Sequence, residues 1–110
     1  MFALFMLLAM LRGEARVPQG PEVMVIGTYI RSHLTGIEEC YARRLQFRPD
    51  LRGRLVLRFE IEGDGAVADA TAAGINDPKL IDCVVGQVKG WRFDKPTSPL
   101  QVAYPINLQP

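Results

Sequence analysis

The residues of this chain that could do chemistry are few: one histidine, two cysteines, one pair of adjacent glutamates and a group of arginines. A histidine that binds zinc or acts as a base usually has a second ligand or an acid close by. His33 has no cysteine or acid three or four residues away, so we predict a surface residue. The side chains of Glu38 and Glu39 diverge on a helix and do not converge on a substrate. With no nucleophile or phosphate-loop motif either, we predict a protein that is not an enzyme and uses no metal or cofactor.

A Gly-Asp-Gly sequence at residues 63–65 resembles a fragment of a calcium-binding loop. The other ligands of such a loop are absent, and these residue types are also typical of tight turns. We therefore predict a hairpin turn at this point.

Six arginines are crowded into one stretch that contains a single acid, Asp50. They are Arg43, Arg44, Arg48, Arg52, Arg54 and Arg58. One interpretation is a solvated face whose arginines pair with nearby acids such as Glu60. The other is a docking patch for an acidic partner, formed by Arg43, Arg44, Arg48 and Arg52. Nucleic acid is disfavoured, because no aromatic residues interleave with the arginines and the net charge is only +1.

The two cysteines, Cys40 and Cys83, are either buried free thiols or one disulfide in an oxidising compartment.

Residues 1–11 form an unbroken apolar run, which is shorter than the roughly 20 residues that span a bilayer. The run suits a signal peptide cleaved after Ala15, but no basic residue precedes it. A weak signal peptide, the tail of a longer membrane anchor and a buried helix all remain open. Residues 16–20 are predicted to be a linker, and residues 21–110 one domain.

An apolar stripe at helical spacing predicts a helix that starts at Pro21 and ends before Pro49. The stripe consists of Ile26, Ile30, Leu34, Ile37, Tyr41 and Leu45. Thr35 and Gly36 weaken the middle of the helix, where a kink or a break is expected. A second helix is predicted from Pro78, capped by the preceding Asn76-Asp77 pair, to about Gly90.

Three strands are predicted around these helices. Residues 54–61 alternate strictly between apolar and polar, as expected of a half-buried strand. Residues 66–73 are a weaker return strand with a bulge near Asp69. Residues 100–108 alternate again, with Val102, Tyr104, Ile106 and Leu108 pointing inward. Pro105 cannot donate a ladder hydrogen bond, so this last strand should lie at an edge.

The predicted fold is therefore α+β in the order α-β-β-α-β, a three-stranded sheet with both helices on one face. The first strand should be central, with the third beside it. The third strand is the best candidate for function, because an open edge can pair with an extended peptide. We predict Gln101, Val102, Ala103 and Tyr104 as the partner-binding residues. The alternative is that a loop covers this edge or that Pro105 blunts it.

Seven short motifs in order make the chain resemble the AgmX/PglI C-terminal domain, a TonB-like module of gliding-motility and other cell-envelope proteins. They are Ile37-x-x-Cys40-Tyr41, Pro49-x-Leu51-x-Gly53-Arg54, the alternating strand, Gly63-Asp64-Gly65-x-Val67, Leu80-x-x-Cys83-Val84, Trp91-Arg92-Phe93 and Tyr104-Pro105. The resemblance covers about Val23 to Pro110.

The resemblance implies a domain in the periplasm, tethered to the inner membrane, that contacts an envelope or outer-membrane protein by strand addition. It also implies that Cys40 pairs with Cys83. A membrane would be involved only through an N-terminal anchor. Two alternatives remain: a structural subunit that self-associates, for example as a homodimer, through the same edge, and a small secreted enzyme.

Overall fold

The computed structural model describes residues 15–110, which form an α+β fold in the predicted order. Its elements are α1 (Pro21–Ser32), α2 (Leu34–Leu45), β1 (Gly53–Ile61), β2 (Val67–Ala73), α3 (Pro78–Lys89) and β3 (Leu100–Leu108). The predictions for residues 1–14 lie outside the described residues. None of the described helices has the length and apolarity needed to cross a membrane.

The first predicted helix is two helices, and the break falls at His33 instead of at Thr35-Gly36. At the end of α1, the hydroxyl of Ser32 donates to the backbone carbonyl of Tyr29 at 2.7 Å. Gly36 lies inside α2 instead. A Cβ there would meet the flexible end of the Gln87 side chain of α3, which is free to move aside.

The sheet is antiparallel with the order β2-β1-β3, which confirms the predicted central strand. Leu55, Leu57 and Ile61 of β1 are almost fully buried, whereas Arg54 and Arg58 on its other face are exposed. The pairing of β1 with β2 shifts register between Arg58 and Glu60. Asp69 has a φ of 52° at this point, so the predicted bulge is present.

The third helix covers the inner face of the sheet and begins as predicted. The carboxylate of Asp77 accepts from the amide of Leu80 at 2.8 Å, and Pro78 takes the first turn. Val84 and Val88 are buried against the sheet side of the core. The disulfide between Cys40 and Cys83 joins α2 to α3, with 5.8 Å between the two Cα atoms. Apolar packing and one covalent bond therefore hold the helical layer together.

An aromatic cluster attaches α1 to the rest of the fold. Tyr29 lies 4.3 Å from Phe93 between ring centroids, and its hydroxyl accepts from the amide of Arg92 at 2.9 Å. Trp91 packs edge-on against Phe59 of β1, with 6.0 Å between centroids. Since Phe59 is paired with Val102, this cluster places α1 beside the first half of β3.

Candidate functional site: the free edge of the third strand

The chain before α1 lies against the start of β3. Arg16 pairs in parallel with Leu100: its amide donates to the carbonyl of Pro99 at 3.1 Å, and the amide of Gln101 donates to its carbonyl at 2.8 Å. Residues 15–19, here called the N-terminal strap, therefore cover the first positions of this edge. This contact, made within the predicted linker, left no sign in the sequence.

The side chain of Arg16 holds the N-terminal strap in place. Its guanidinium donates to both carboxylate oxygens of Glu22, at 2.7 and 2.8 Å, and to the hydroxyl of Ser98 at 2.6 Å. The hydrogen bond from Arg16, together with one from the backbone amide of Gln19, holds the pKa of Glu22 below its ordinary value. The strap thus connects α1 to the loop that precedes β3.

The contact with Arg16 fixes which backbone groups of β3 face outward. The N–H of Gln101 points away from β1, and alternate residues of a strand present their backbone groups to the same edge. The register of β1 and β3 is continuous over the whole strand. Ala103, Pro105 and Asn107 therefore also face outward, and within residues 15–110 they have no backbone partner on that side. The backbone N of Pro105 faces the open edge, so its missing N–H removes no hydrogen bond between β1 and β3, as predicted for an edge strand.

The opposite edge of the sheet is less suited to pairing. β2 has seven residues and a bulge at Asp69, whereas β3 has nine residues in unbroken register. Bulges and short strands are common devices that prevent unwanted pairing. An extended peptide would therefore find its regular template on β3.

A groove of about 590 Å³, here called the α1 groove, lies beside the first half of β3. Its helix side is formed by Val23, Ile26, Gly27 and Arg31, and its strand side by residues 101–104. Val23 is 55% exposed and Val17, at the mouth, is 68% exposed. Exposed aliphatic side chains that cluster beside a groove are typical of interaction sites.

A second groove, of about 320 Å³ and here called the α2 groove, lies beside the second half of the same strand. It is lined by Leu34, Ile37, Glu38 and Tyr41 of α2 and by residues 106–109. The break between the helices separates the two grooves. The edge of β3 is thus flanked along its length by space for the side chains of an added strand.

The arginine group is partly used inside the fold. The Nε of Arg44 lies 3.0 Å from Asp77 Oδ1, and Nη1 of Arg48 lies 3.1 Å from Oδ2. Burial disfavours the charge on Asp77, but the Leu80 amide and the two arginines outweigh it and keep the pKa of Asp77 below its ordinary value. Nη2 of Arg43 lies 3.2 Å from the sulfur of Cys83.

Two members of the predicted docking patch, Arg44 and Arg48, are therefore paired with a buried acid that lies far away in the chain. Arg52 is exposed beside them. Whether these arginines bind a partner stays a prediction.

The structure brings the predicted residues Gln101, Val102, Ala103 and Tyr104 together with groove residues that sequence reasoning missed. Those are Val17, Val23 and Arg31 in the α1 groove. Glu38 lines the α2 groove further along β3, and Arg16 pairs with the start of the strand. Val23, Met24 and Val25 did leave a signal, because they are apolar residues outside the buried stripe of their helix. His33 is exposed, and the carboxylate of Asp64 accepts from the amide of Ala66 in the hairpin turn. In the described part of the chain, no three potential metal ligands lie together.

Comparisons with known proteins give this chain no relative. No protein-family model, no curated protein and no solved structure matches it.

Proposed function

We propose that this domain is a non-enzymatic protein-interaction module of the cell envelope, which binds an extended segment of a partner protein along the free edge of β3. The observation that carries the proposal is the run of outward-facing backbone groups at Ala103, Pro105 and Asn107 beside two side-chain grooves. Main-chain hydrogen bonds would supply affinity, and the grooves would supply specificity.

Pro105 favours a foreign partner over a second copy of this chain. It lies midway between Ala103 and Asn107 on the open edge, so a symmetric pairing of two β3 strands along that edge would include it. Each copy would then bring its own proline, and both strands would lack a donor. A partner strand without proline would leave only one donor missing. Self-association is therefore the weaker of the two uses of this edge.

The cellular location in the proposal follows from two supports. The disulfide of Cys40 and Cys83 is compatible with an oxidising compartment such as the periplasm. The motifs that resemble the AgmX/PglI C-terminal domain belong to envelope proteins. We accordingly place the partner in the envelope or outer membrane, and any contact with the inner membrane at an N-terminal anchor.

A proline substitution at Ala103 tests the proposal. The N–H of Ala103 faces the open edge, so Ala103→Pro removes a donor that a partner would use and leaves the pairing with β1 in place. Ala103→Val keeps that donor and is the matched control. We expect wild type and Ala103→Val to capture the same protein from envelope extracts, and Ala103→Pro to lose it while unfolding at a similar temperature.

Equal capture by both variants would show that strand addition at this edge is wrong. Deleting residues 100–110 is a poorer test, because Leu100, Val102 and Leu108 belong to the buried core. Sedimentation at several concentrations addresses self-association: a monomer mass that does not change with concentration excludes it.

A further inference from the structure

The helix sides of the two grooves beside β3 carry opposite charges, Arg31 in the α1 groove and Glu38 in the α2 groove. If an ideal Cβ is built on Gly27, it lies 3.0 Å from Nη1 of Arg31, so the guanidinium lies over this glycine inside the α1 groove. Glu38 lines the α2 groove, at the other half of the same strand. Within residues 15–110, neither Arg31 nor Glu38 forms a salt bridge.

The charge on Arg31 is available to a ligand. Its only side-chain hydrogen bond in the described residues goes to the hydroxyl of Thr28, at 3.3 Å. A guanidinium has five N–H donors in a fork that matches a carboxylate. Aliphatic side chains of Val23 and Ile26 lie next to it in the groove. This wall therefore fits an aliphatic side chain and a carboxylate.

Three more charged residues, Arg58, Glu60 and Asp69, line the α1 groove from the sheet. Arg58 and Glu60 lie on the outer face of the sheet, opposite the buried face of β1. Asp69 lies on β2, beyond the central strand. Inward-facing side chains of an added strand would meet Arg31 and Glu38, whereas β3 separates an added strand from Arg58 and Glu60 of β1.

The spacing of the two grooves sets the spacing of the charges in the partner. The α1 groove reaches Val102 and Tyr104, and the α2 groove reaches Ile106 and Leu108. Corresponding positions are four residues apart along β3, or roughly 13 Å at the rise of a strand. Positions that are four apart in an added strand also point to the same face.

We propose that the partner segment carries one acidic and one basic inward-facing side chain, four residues apart, with the acid at Arg31 and the base at Glu38. This inference depends on the proposed function, because it takes strand addition at β3 as the mode of binding. Its ligand is a short extended peptide segment of another protein.

Selection from a phage-displayed library of random twelve-residue peptides tests this charge pattern, with the full chain as bait. Wild type should enrich peptides with one acid and one base four residues apart. Arg31→Glu makes both grooves acidic and should enrich two basic residues at that spacing. Glu38→Arg makes both grooves basic and should enrich two acidic residues. These outcomes do not depend on whether the peptide runs parallel or antiparallel to β3.

Synthetic copies of the enriched peptides give the size of the effect. Each mismatched charge should weaken binding roughly 2–5-fold, the range of exposed ion pairs, and the difference should shrink in high salt. Peptides that lose binding with Ala103→Pro but show no charge pattern would overturn this inference and leave the proposed function standing. Peptides that bind wild type and Ala103→Pro equally would overturn both.

Discussion

The amide of Gln101 donates to the carbonyl of Arg16 at 2.8 Å, and this hydrogen bond shows which way every backbone group of β3 faces. Because the backbone groups of Gln101 point away from β1, those of Ala103, Pro105 and Asn107 do so too. The same contact closes the beginning of the edge with the chain's own N-terminal strap. The open part of the edge therefore starts after Gln101 and has Pro105 near its middle.

Replacing Pro105 should make the edge pair more readily. Pro105→Val adds an outward-facing N–H, and in a symmetric contact of two chains it restores a donor on both strands. At about 1 kcal/mol for each hydrogen bond, the association constant of the homodimer should rise roughly 30-fold. Sedimentation equilibrium measures this constant. Ala103→Val adds the same side chain on the same face without a new donor, and an equal rise in that control would attribute the effect to apolar surface instead.

Breaking the disulfide should destabilise the domain strongly. Cys40 and Cys83 are 43 residues apart, and closing a loop of that length restricts the unfolded chain. The chain-entropy model gives a stabilisation of about 4 kcal/mol. Urea unfolding of Cys83→Ala should show a loss of this order, and reduced wild type should match it. If reductant changes neither the mass nor the stability of protein purified from the envelope, the bridge does not form there.

Removing the charge of Asp77 should lower stability at neutral pH and change its pH dependence. Asp77 is 2% exposed and bound by Arg44 and Arg48, so Asp77→Asn should cost about 2 kcal/mol. The pKa of Asp77 is lower in the folded than in the unfolded chain. Its contribution is therefore complete above the unfolded value of about 3.9 and is lost as the pH falls through the folded value.

Urea unfolding of wild type and Asp77→Asn at a series of pH values measures this effect. The difference between them should be constant at neutral pH and should narrow below about pH 4. Asp82→Asn changes an exposed acid on the same helix and serves as the control. A difference that stays constant down to the lowest pH would show that the carboxylate of Asp77 is not held ionised by its partners.

Loosening the N-terminal strap should expose the first position of the edge. Arg16→Ala removes the side-chain contacts with Glu22, Ser98 and Thr97 but leaves the backbone of residue 16 intact. Hydrogen exchange of the Gln101 amide should become roughly 2–5-fold faster, as expected for the loss of an exposed ion pair. The Tyr104 amide, which faces β1, is an internal reference. Equal acceleration at both amides would indicate general destabilisation and not release of the strap.

The pattern of the sequence was enough to predict the last strand in detail. The alternation predicted that Val102 and Leu108 lie in the core, and Pro105 predicted an edge strand. The structure has both features. The bulge near Asp69 followed from apolar residues that could not share one face of the return strand. These predictions succeeded because each depends on residues that are neighbours in the chain.

Other features needed more than local pattern. The first helix breaks at His33, whose backbone leaves helical geometry, whereas Gly36, the expected weak point, lies inside α2 beside Gln87 of another helix. The cysteine pairing came from the family resemblance, since residue types alone left free thiols open. The arginine group gave no sign that Arg44 would reach Asp77, 33 residues away.

By itself, the sequence determined which segments are helical or extended and the face that each one buries, because helical and strand periodicity are local properties. Only the tertiary structure decided what borders the open edge. Arg16 reaches Ser98 across 82 residues, and Arg31 and Glu38 come to lie along β3, more than sixty residues further along the chain. Such neighbours are set by how the helices pack on the sheet, and no pattern within one element records that packing.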